Sequence, residues 1–528
     1  MKSIENPILP GFNPDPSVLR VGDDYYIATS TFEWFPGVQI HHSKDLIHWR
    51  LIAHPLNRLS QLNMSGNPCS AGVWAPCLSY DNGIFYLIYT DVKYFDGTVV
   101  DCYNYLVTTT DIYGEWSDPI FLNSSGFDPS LFHDEDGRKW FVNMLWDFRS
   151  GKNRFGGILL QEYSVAEQKL VGPITNIFKG TEFKLTEGPH LYKKNGYYYL
   201  LTAEGGTFLE HVATMARSKK ITGPYEIDPQ NPILTSRFDC ALELQRAGHA
   251  SLVETQNGEW YLVHLCGRPL PSRGRCILGR ETAIQKMKWT NDHWIRLESG
   301  GHQPEVRVPA PLLLECPWPE DVKKDDFNSE TLNIHFQTLR IPLGEEVLSL
   351  TERPGFLRLK GRESLHSKHI QSLVARRQQS FRYVASTCLE FEPETFQQAA
   401  GLVCIYNSLN YYYLCVTQDE ELGKCLNILV CDNRKLESGL ERPIPINDLI
   451  RCYLKVEVNY DKLQFYYSID ETDWVAIGKT FDASKLSDEY LEYAKAEGFT
   501  GAFVGLCCQD LSGRRKHADF DFFEYREI

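Results

Sequence analysis

The sequence predicts an all-β chain in two parts, a five-bladed β-propeller followed by a β-sandwich. Three observations predict it. One short pattern recurs five times in the first three hundred residues. Helical periodicity is almost absent from the same stretch. A proline-rich break then leads into a second region of alternating strands.

The recurring pattern is a turn followed by an aromatic strand. GDDYYIATS begins at Gly22, NGIFYLIYT at Asn82, DGRKWFVNM at Asp136, NGYYYLLTA at Asn195 and NGEWYLVHL at Asn257. Each pairs Gly with Asp or Asn before a β-rich run, the signature of a tight turn between strands. Their spacing of roughly sixty residues suits one four-stranded blade with its loops.

A lead-in segment precedes each run. These are Asp15-Pro16-Ser17, Ala75-Pro76-Cys77, Asp128-Pro129-Ser130, Glu187-Gly188-Pro189-His190 and Gly248-His249-Ala250-Ser251. The repeat places all five at the start of the innermost strand of a blade, where strands line the central channel. Asp15, Asp128, Glu187 and His249 are therefore expected to converge at one end of the axis. HHSKDLIHWRL, VTTTDIYGEWSDP and ARSKKITGPYEID recur at matching places in three blades.

The propeller is expected over residues 1–302. Residues 303–324 hold Pro304, Pro309, Pro311, Pro317 and Pro319, which break regular structure and read as a linker. From 325 to 528 alternating stretches such as YYYLCVTQ and LQFYYSI predict a sandwich, closed by FDFFEYREI.

Composition narrows the function classes. With 528 residues, 43% hydrophobic and 13% aromatic, the chain can bury more than one core. Its net charge of −15 repels nucleic acid and anionic membrane and suits a neutral substrate. No stretch is apolar for long enough to span a bilayer. The N-terminus lacks a secretory signal pattern, and fifteen scattered cysteines read as free thiols, so the expected location is the cytoplasm.

Two carboxyl groups flanking a bond, one protonated and one ionised, are what glycoside hydrolysis requires. Acids from different blades around a narrow channel meet that need, and a third acid raises the proton affinity of the acid catalyst. Asp15 sits between two prolines in Asn13-Pro14-Asp15-Pro16-Ser17, and Asp128 repeats that chemistry. Taken alone, Asp15 reads first as an Asp-Pro turn, a reading that the repeat at Asp128 weakens, and Glu187 reads as a surface carboxylate beside a turn. Their common place in the repeat favours catalysis. No metal or organic cofactor is required.

These motifs carry a resemblance. Asn13-Pro14-Asp15-Pro16-Ser17, Trp74-Ala75-Pro76, Asp128-Pro129-Ser130 and Glu187-Gly188-Pro189-His190 resemble glycoside hydrolase family 43, five-bladed propeller enzymes with an Asp, Asp, Glu triad. Leu278-Gly279-Arg280-Glu281-Thr282-Ala283 and Gly498-Phe499-Thr500-Gly501-Ala502-Phe503 point within it to the two-domain β-xylosidases. The resemblance implies Asp15 as general base, Glu187 as general acid and Asp128 as the residue that orients Glu187 and keeps its pKa high. It implies exo-acting β-1,4-xylosidase activity with inversion on xylo-oligosaccharides, in a homo-oligomer, tetramer or dimer. Thr207 and Cys276 match pocket-lining positions, and Phe499 matches a loop that closes one end of the pocket.

Phe32 and Trp74 read either as walls of a sugar pocket or as propeller core. Arg280 reads as a ligand of sugar hydroxyls or as an ion-pair partner of an acid. His249 orders water, binds a divalent cation or bonds a neighbouring carboxylate. Three rival functions stand beside the xylosidase. They are an α-L-arabinofuranosidase on the same scaffold, a sugar-binding propeller without catalysis and a protein-interaction propeller, the last disfavoured by the lack of a WD-type signature.

Overall fold

Each of the five turn-and-aromatic runs forms the second strand of an antiparallel sheet, four-stranded in four blades and five-stranded in the fourth, where Leu234–Thr235 adds a short strand. In the computed structural model, which describes residues 2–270, 274–493 and 498–528, these sheets are the blades of a propeller. Their inner strands are Ser17–Val21, Gly72–Asp81, Ser130–His133, Glu187–Lys194 and Gln245–Glu254. Each inner strand packs against the next, and the fifth against the first, so the ring is closed. The runs form strands because alternate Tyr, Trp, Leu and Ile side chains bury between neighbouring blades. Tyr25, Ile27, Tyr261 and Val263 share one such layer, and Tyr86, Ile88 and Phe141 another.

Small hydroxyls tie the blades together beside the axis. Ser17 Oγ accepts the Leu78 N–H at 3.1 Å, and Ser130 Oγ donates to Pro189 O at 2.6 Å. Ser251 Oγ accepts from Val18 N at 2.9 Å and donates to Pro16 O at 2.9 Å. The serine of each Asp-Pro-Ser motif thus reaches the following blade. The matching repeats that begin at His41, Val107 and Ala216 run from the third to the fourth strand of their blades.

The chain divides into two units. The first is Met1–Leu62, Ala71–Arg268 and Arg280–Trp318, and the second is Asn63–Ser70, Pro269–Gly279 and Pro319–Ile528. Part of the proline-rich stretch belongs to the first unit: Arg307–Pro309 is a strand paired with Ser3–Glu5. That pairing, with Asn6 bonded to both backbone groups of Ile284 at 2.8 and 2.9 Å, binds the two ends of the propeller segment.

The second unit is a sandwich of two antiparallel sheets. One runs in the order Ser372–Arg377, Phe503–Asp510, Gln398–Asn407, Asn410–Asp419, Gly423–Asp432, Lys435–Ser438. The other is centred on His517–Glu527, Arg382–Glu390 and Arg451–Asn459. Leu402, Leu414, Leu454, Phe465 and Phe520 lie in the core between them. Two segments that interrupt the propeller sequence pack here. Arg340 Nε donates to Asn67 O at 2.8 Å, and Ala502 N donates to Ile277 O at 2.9 Å. A short α-helix, Asp488–Tyr493, follows a 3-10 turn at Ala483–Lys485. Among the described residues no helix is long and apolar enough to cross a membrane.

Candidate active site

Each blade carries the same backbone irregularity just before or within the first half of its inner strand. Asp15, Ala75, Asp128, Gly188 and His249 have φ of +55°, +35°, +54°, +56° and +44°. In four of the five the next residue is proline, which excludes the right-handed helical region for the residue before it. A left-handed conformation costs a non-glycine residue roughly 1–2 kcal/mol. Four such residues around one axis mark a place where the fold sustains strain for function. Ala75, Asp128, Gly188 and His249 together line one small cavity beside the axis.

Blade 4 departs from the pattern in one respect. Its kinked residue is Gly188, and the acid precedes it. Glu187 is therefore not equivalent to Asp15 and Asp128, as the sequence register had suggested. It is aligned with Pro14, Trp74, Phe127 and Gly248. The repeated object is the backbone kink, and blade 4 presents its carboxyl from the residue before. A Cβ on Gly188 would stand 3.1 Å from His249 Cε1, so the position also has little room.

The three acids are buried, at 4% exposure for Asp15 and 7% for Asp128 and Glu187. Asp15 is held by both oxygens. Arg280 Nη1 donates to Oδ1 at 2.8 Å, and Ser30 Oγ donates to Oδ2 at 2.7 Å. His249 Nδ1 stands 3.8 Å from Oδ1. Burial pushes the Asp15 carboxyl up, but Arg280, His249 and Ser30 outweigh it and hold it below the usual carboxylate range.

Glu187 moves the opposite way. Burial, then the charges of Asp128 and Asp15, lift its carboxyl well above the ordinary value, against the pull of Arg280. Asp128 is also raised, by burial and then by Asp15, although its Oδ2 accepts the Gly188 N–H at 3.1 Å. Like charges in one buried cluster cannot all ionise, so a proton stays on the Asp128–Glu187 side at neutral pH. The Gly188 bond joins Asp128 to the peptide that immediately follows Glu187. This arrangement can give a proton from one blade and take one at another.

Aromatic rings extend from the acids in a continuous series. Phe32 lies 5.7 Å from Phe12 and 5.9 Å from Trp74, and the Arg280 guanidinium sits 5.2 Å from the Phe32 ring. Trp74 meets Phe127 at 5.3 Å, Phe127 meets Trp146 at 5.9 Å, and Trp146 meets Phe155 at 5.5 Å. Phe32 is fixed by paired backbone bonds with Val73, next to Trp74. Sequence reasoning had named Phe32 and Trp74 but not Phe127, which immediately precedes Asp128-Pro129 as Trp74 precedes Ala75-Pro76. That parallel was the available signal.

His249 is buried, and desolvation drives its pKa down against the Asp15 charge. Sequence reading had missed His211, a buried neighbour of the cluster whose pKa desolvation drives down to about 3. Its ring packs where a Cβ on Gly248 would stand, 2.5 Å from Cδ2. Thr207 is half-buried in the loop between Tyr197–Glu204 and Val212–Ser218. Cys276 and Phe499 belong to the second unit. Cys276 is buried with its N–H on Glu489 Oε2 at 3.0 Å, and the half-buried Phe499 donates its N–H to Ser70 Oγ at 3.1 Å. Among the described residues no group of three or more His, Cys, Asp or Glu is arranged to hold a metal ion.

Residues 4–295 match the model of glycosyl hydrolases family 43. The chain belongs to glycosyl hydrolase family 43. Residues 324–526 match the β-xylosidase C-terminal concanavalin A-like domain. Among family 43 relatives, the chain is 56% identical to the β-xylosidase of Bacillus subtilis (strain 168), over 99% of each chain. It is 51% identical to xylosidase/arabinosidase 43B of Humicola insolens, over 100% of this chain and 98% of that one. The crystal structure of xylan β-1,4-xylosidase from Bacillus halodurans C-125 superposes with a TM-score of 0.97 at 59% identity, covering 99% of this chain and 100% of that one.

Proposed function

We propose that this glycoside hydrolase is an exo-acting, inverting β-1,4-xylosidase that releases xylose from the non-reducing end of xylo-oligosaccharides. The observation that carries the reading is one buried cluster in which Asp15 is bonded to Arg280 and Ser30 and held low while burial and neighbouring acids push Glu187 up. In this reading Asp15 takes a proton from water as its oxygen attacks the anomeric carbon. The glycosidic C–O bond breaks as Glu187 gives its proton to the departing oxygen. One displacement converts a β-linkage into α-xylose. Asp128 keeps the proton on Glu187 by its charge and orients it through the Gly188 peptide. Proton exchange with solvent then restores both groups. Phe32 and Trp74 pack against the sugar, and His249 and Arg280 hold the base end. Thr207, Cys276 and Phe499 belong to the same proposal as substrate contacts.

No cofactor enters this scheme. The names of the relatives and the match to a β-xylosidase C-terminal domain support xylo-oligosaccharides as substrates. The described cysteines form no disulfide framework, which supports a reducing compartment such as the cytoplasm. A homo-oligomeric state is part of the same proposal.

The test is to incubate the protein and Glu187→Ala with xylobiose and follow the products by proton NMR. Early α-xylose, lost in the variant, is the expected result. Xylose released first as the β-anomer, or no xylose at all, overturns the assignment. The Humicola relative, named for both activities, favours a second activity on α-L-arabinofuranosides. Rates on the two 4-nitrophenyl glycosides measure the ratio.

A further inference from the structure

Ser30 follows the second strand of blade 1 and is completely buried. Three hydrogen bonds fix it. Its N–H donates to Pro14 O at 3.1 Å, on the residue before Asp15. Its Oγ accepts the Ala75 N–H at 2.7 Å and donates to Asp15 Oδ2 at 2.7 Å. A hydroxyl has one proton. With the Ala75 amide directed at its oxygen, that proton is directed at the carboxylate. Ser30 therefore joins the kink of blade 1 to the kink of blade 2, immediately beside Trp74.

We propose that Ser30 is a positioning residue for the base Asp15, clamping Oδ2 and tying it to the Trp74–Ala75 backbone. Arg280 already holds Oδ1, so the two donors together stop the carboxylate from rotating about its Cβ–Cγ bond. The hydroxyl also favours the ionised form, because a donor to a carboxylate stabilises the charge. The base is thereby presented in one orientation to the water it activates, and the aromatic wall is fixed relative to it. This inference rests on the catalytic reading of Asp15 given above.

The variant Ser30→Ala tests it. The expected result is a fall in kcat/KM of about 10- to 100-fold, the range for a displaced catalytic group. The acid limb of the kcat/KM–pH profile should move to higher pH, as Asp15 becomes easier to protonate. The loss should be equal on xylobiose and on 4-nitrophenyl xyloside. A defect at the base affects water attack on both substrates, whereas a defect at the acid is relieved by the better leaving group. A folded Ser30→Ala with an unchanged acid limb, or with a loss confined to xylobiose, overturns the proposal.

Melting temperature and circular dichroism establish folding. If Ser30→Ala does not fold, Ser30→Cys fills the space with a weaker donor and is held to the same two readouts. The unaltered protein is measured first. If it releases no xylose, the xylosidase reading fails instead, and the acid limb is compared on the 4-nitrophenyl arabinofuranoside.

Discussion

Replacing Arg280 by alanine removes the strongest single partner of Asp15. The bond is 2.8 Å long, and the two side chains are 3% and 5% exposed, so solvent screens it little. A hydrogen bond between charged groups contributes about 1.5–3 kcal/mol. At 1.36 kcal/mol per pKa unit, Asp15 should titrate about 1–2 units higher in Arg280→Ala. A general base works only when ionised, so the acid limb of kcat/KM should rise by that amount. Arg280 also opposes the rise at Glu187, without a hydrogen bond to it, so the alkaline limb should move up by less. Stability follows the same logic. Asp15 is depressed below 3.8 in the folded protein, so its contribution is present above that pH and lost as pH falls through the folded value. The variant leaves the buried carboxylate without its ion-pair partner and with the Ser30 hydrogen bond, at a cost of up to about 3–5 kcal/mol near neutrality, part of which returns on acidification. The assay is kcat/KM on xylobiose at half-unit pH steps, with thermal melts in the same buffers. An acid limb that overlays the unaltered protein refutes the argument that Arg280 keeps the base ionised.

Three further outcomes follow from the cluster. Asp128→Asn keeps an acceptor for the Gly188 N–H but removes a charge that repels Glu187. Its alkaline kcat limb should move to lower pH. Raised carboxyls lose their stabilising effect as pH rises through the folded pKa, so the variant should melt higher than the unaltered protein at pH 7.5 while turning over more slowly. Gly188→Ala adds a Cβ 3.1 Å from His249 at φ +56°. It should lose roughly 1–2 kcal/mol of stability and, by shifting Glu187, about tenfold or more in kcat, read by melting and by steady-state rates. Prolonged dialysis against EDTA should leave xylobiose hydrolysis unchanged. A loss restored by calcium or magnesium would instead assign a cation to the surroundings of His249.

Much of this was legible because a propeller repeats its signals. Turn chemistry before Tyr25, Phe85, Trp140, Tyr198 and Trp260 marks five second strands, and each lead-in then falls at the axis. The offset of Glu187 was legible only by aligning the prolines, where Pro189 follows Gly188 as Pro16 follows Asp15 and Pro129 follows Asp128. Sequence alignment weights the acid, whereas the structure repeats the φ of the kink, which only Gly188 adopts without a Cβ. Ser30 and His211 stayed hidden because their partners are far away in sequence or reached through backbone. Ser30 lies 15 residues from Asp15 and 45 from Ala75. Asn63–Ser70 and Pro269–Gly279 join the second unit for the same reason. Their contacts with Arg340 and Ala502 leave no trace in local pattern.

The five kinks separate shape from chemistry. Proline after four of them, together with the inter-blade serines, sets the backbone whatever side chain the kinked residue carries. Such a ring is a set of five addresses facing one axis, of which two hold aspartates, one an imidazole and one only a methyl. Reassigning an occupant need not redesign the frame. Ala75 is the vacant address, and a new polar group grafted there would face the cavity it shares with Asp128 and His249. The scaffold is in this sense a socket board, on which new specificities arise by exchanging single occupants while the wiring behind them stays in place.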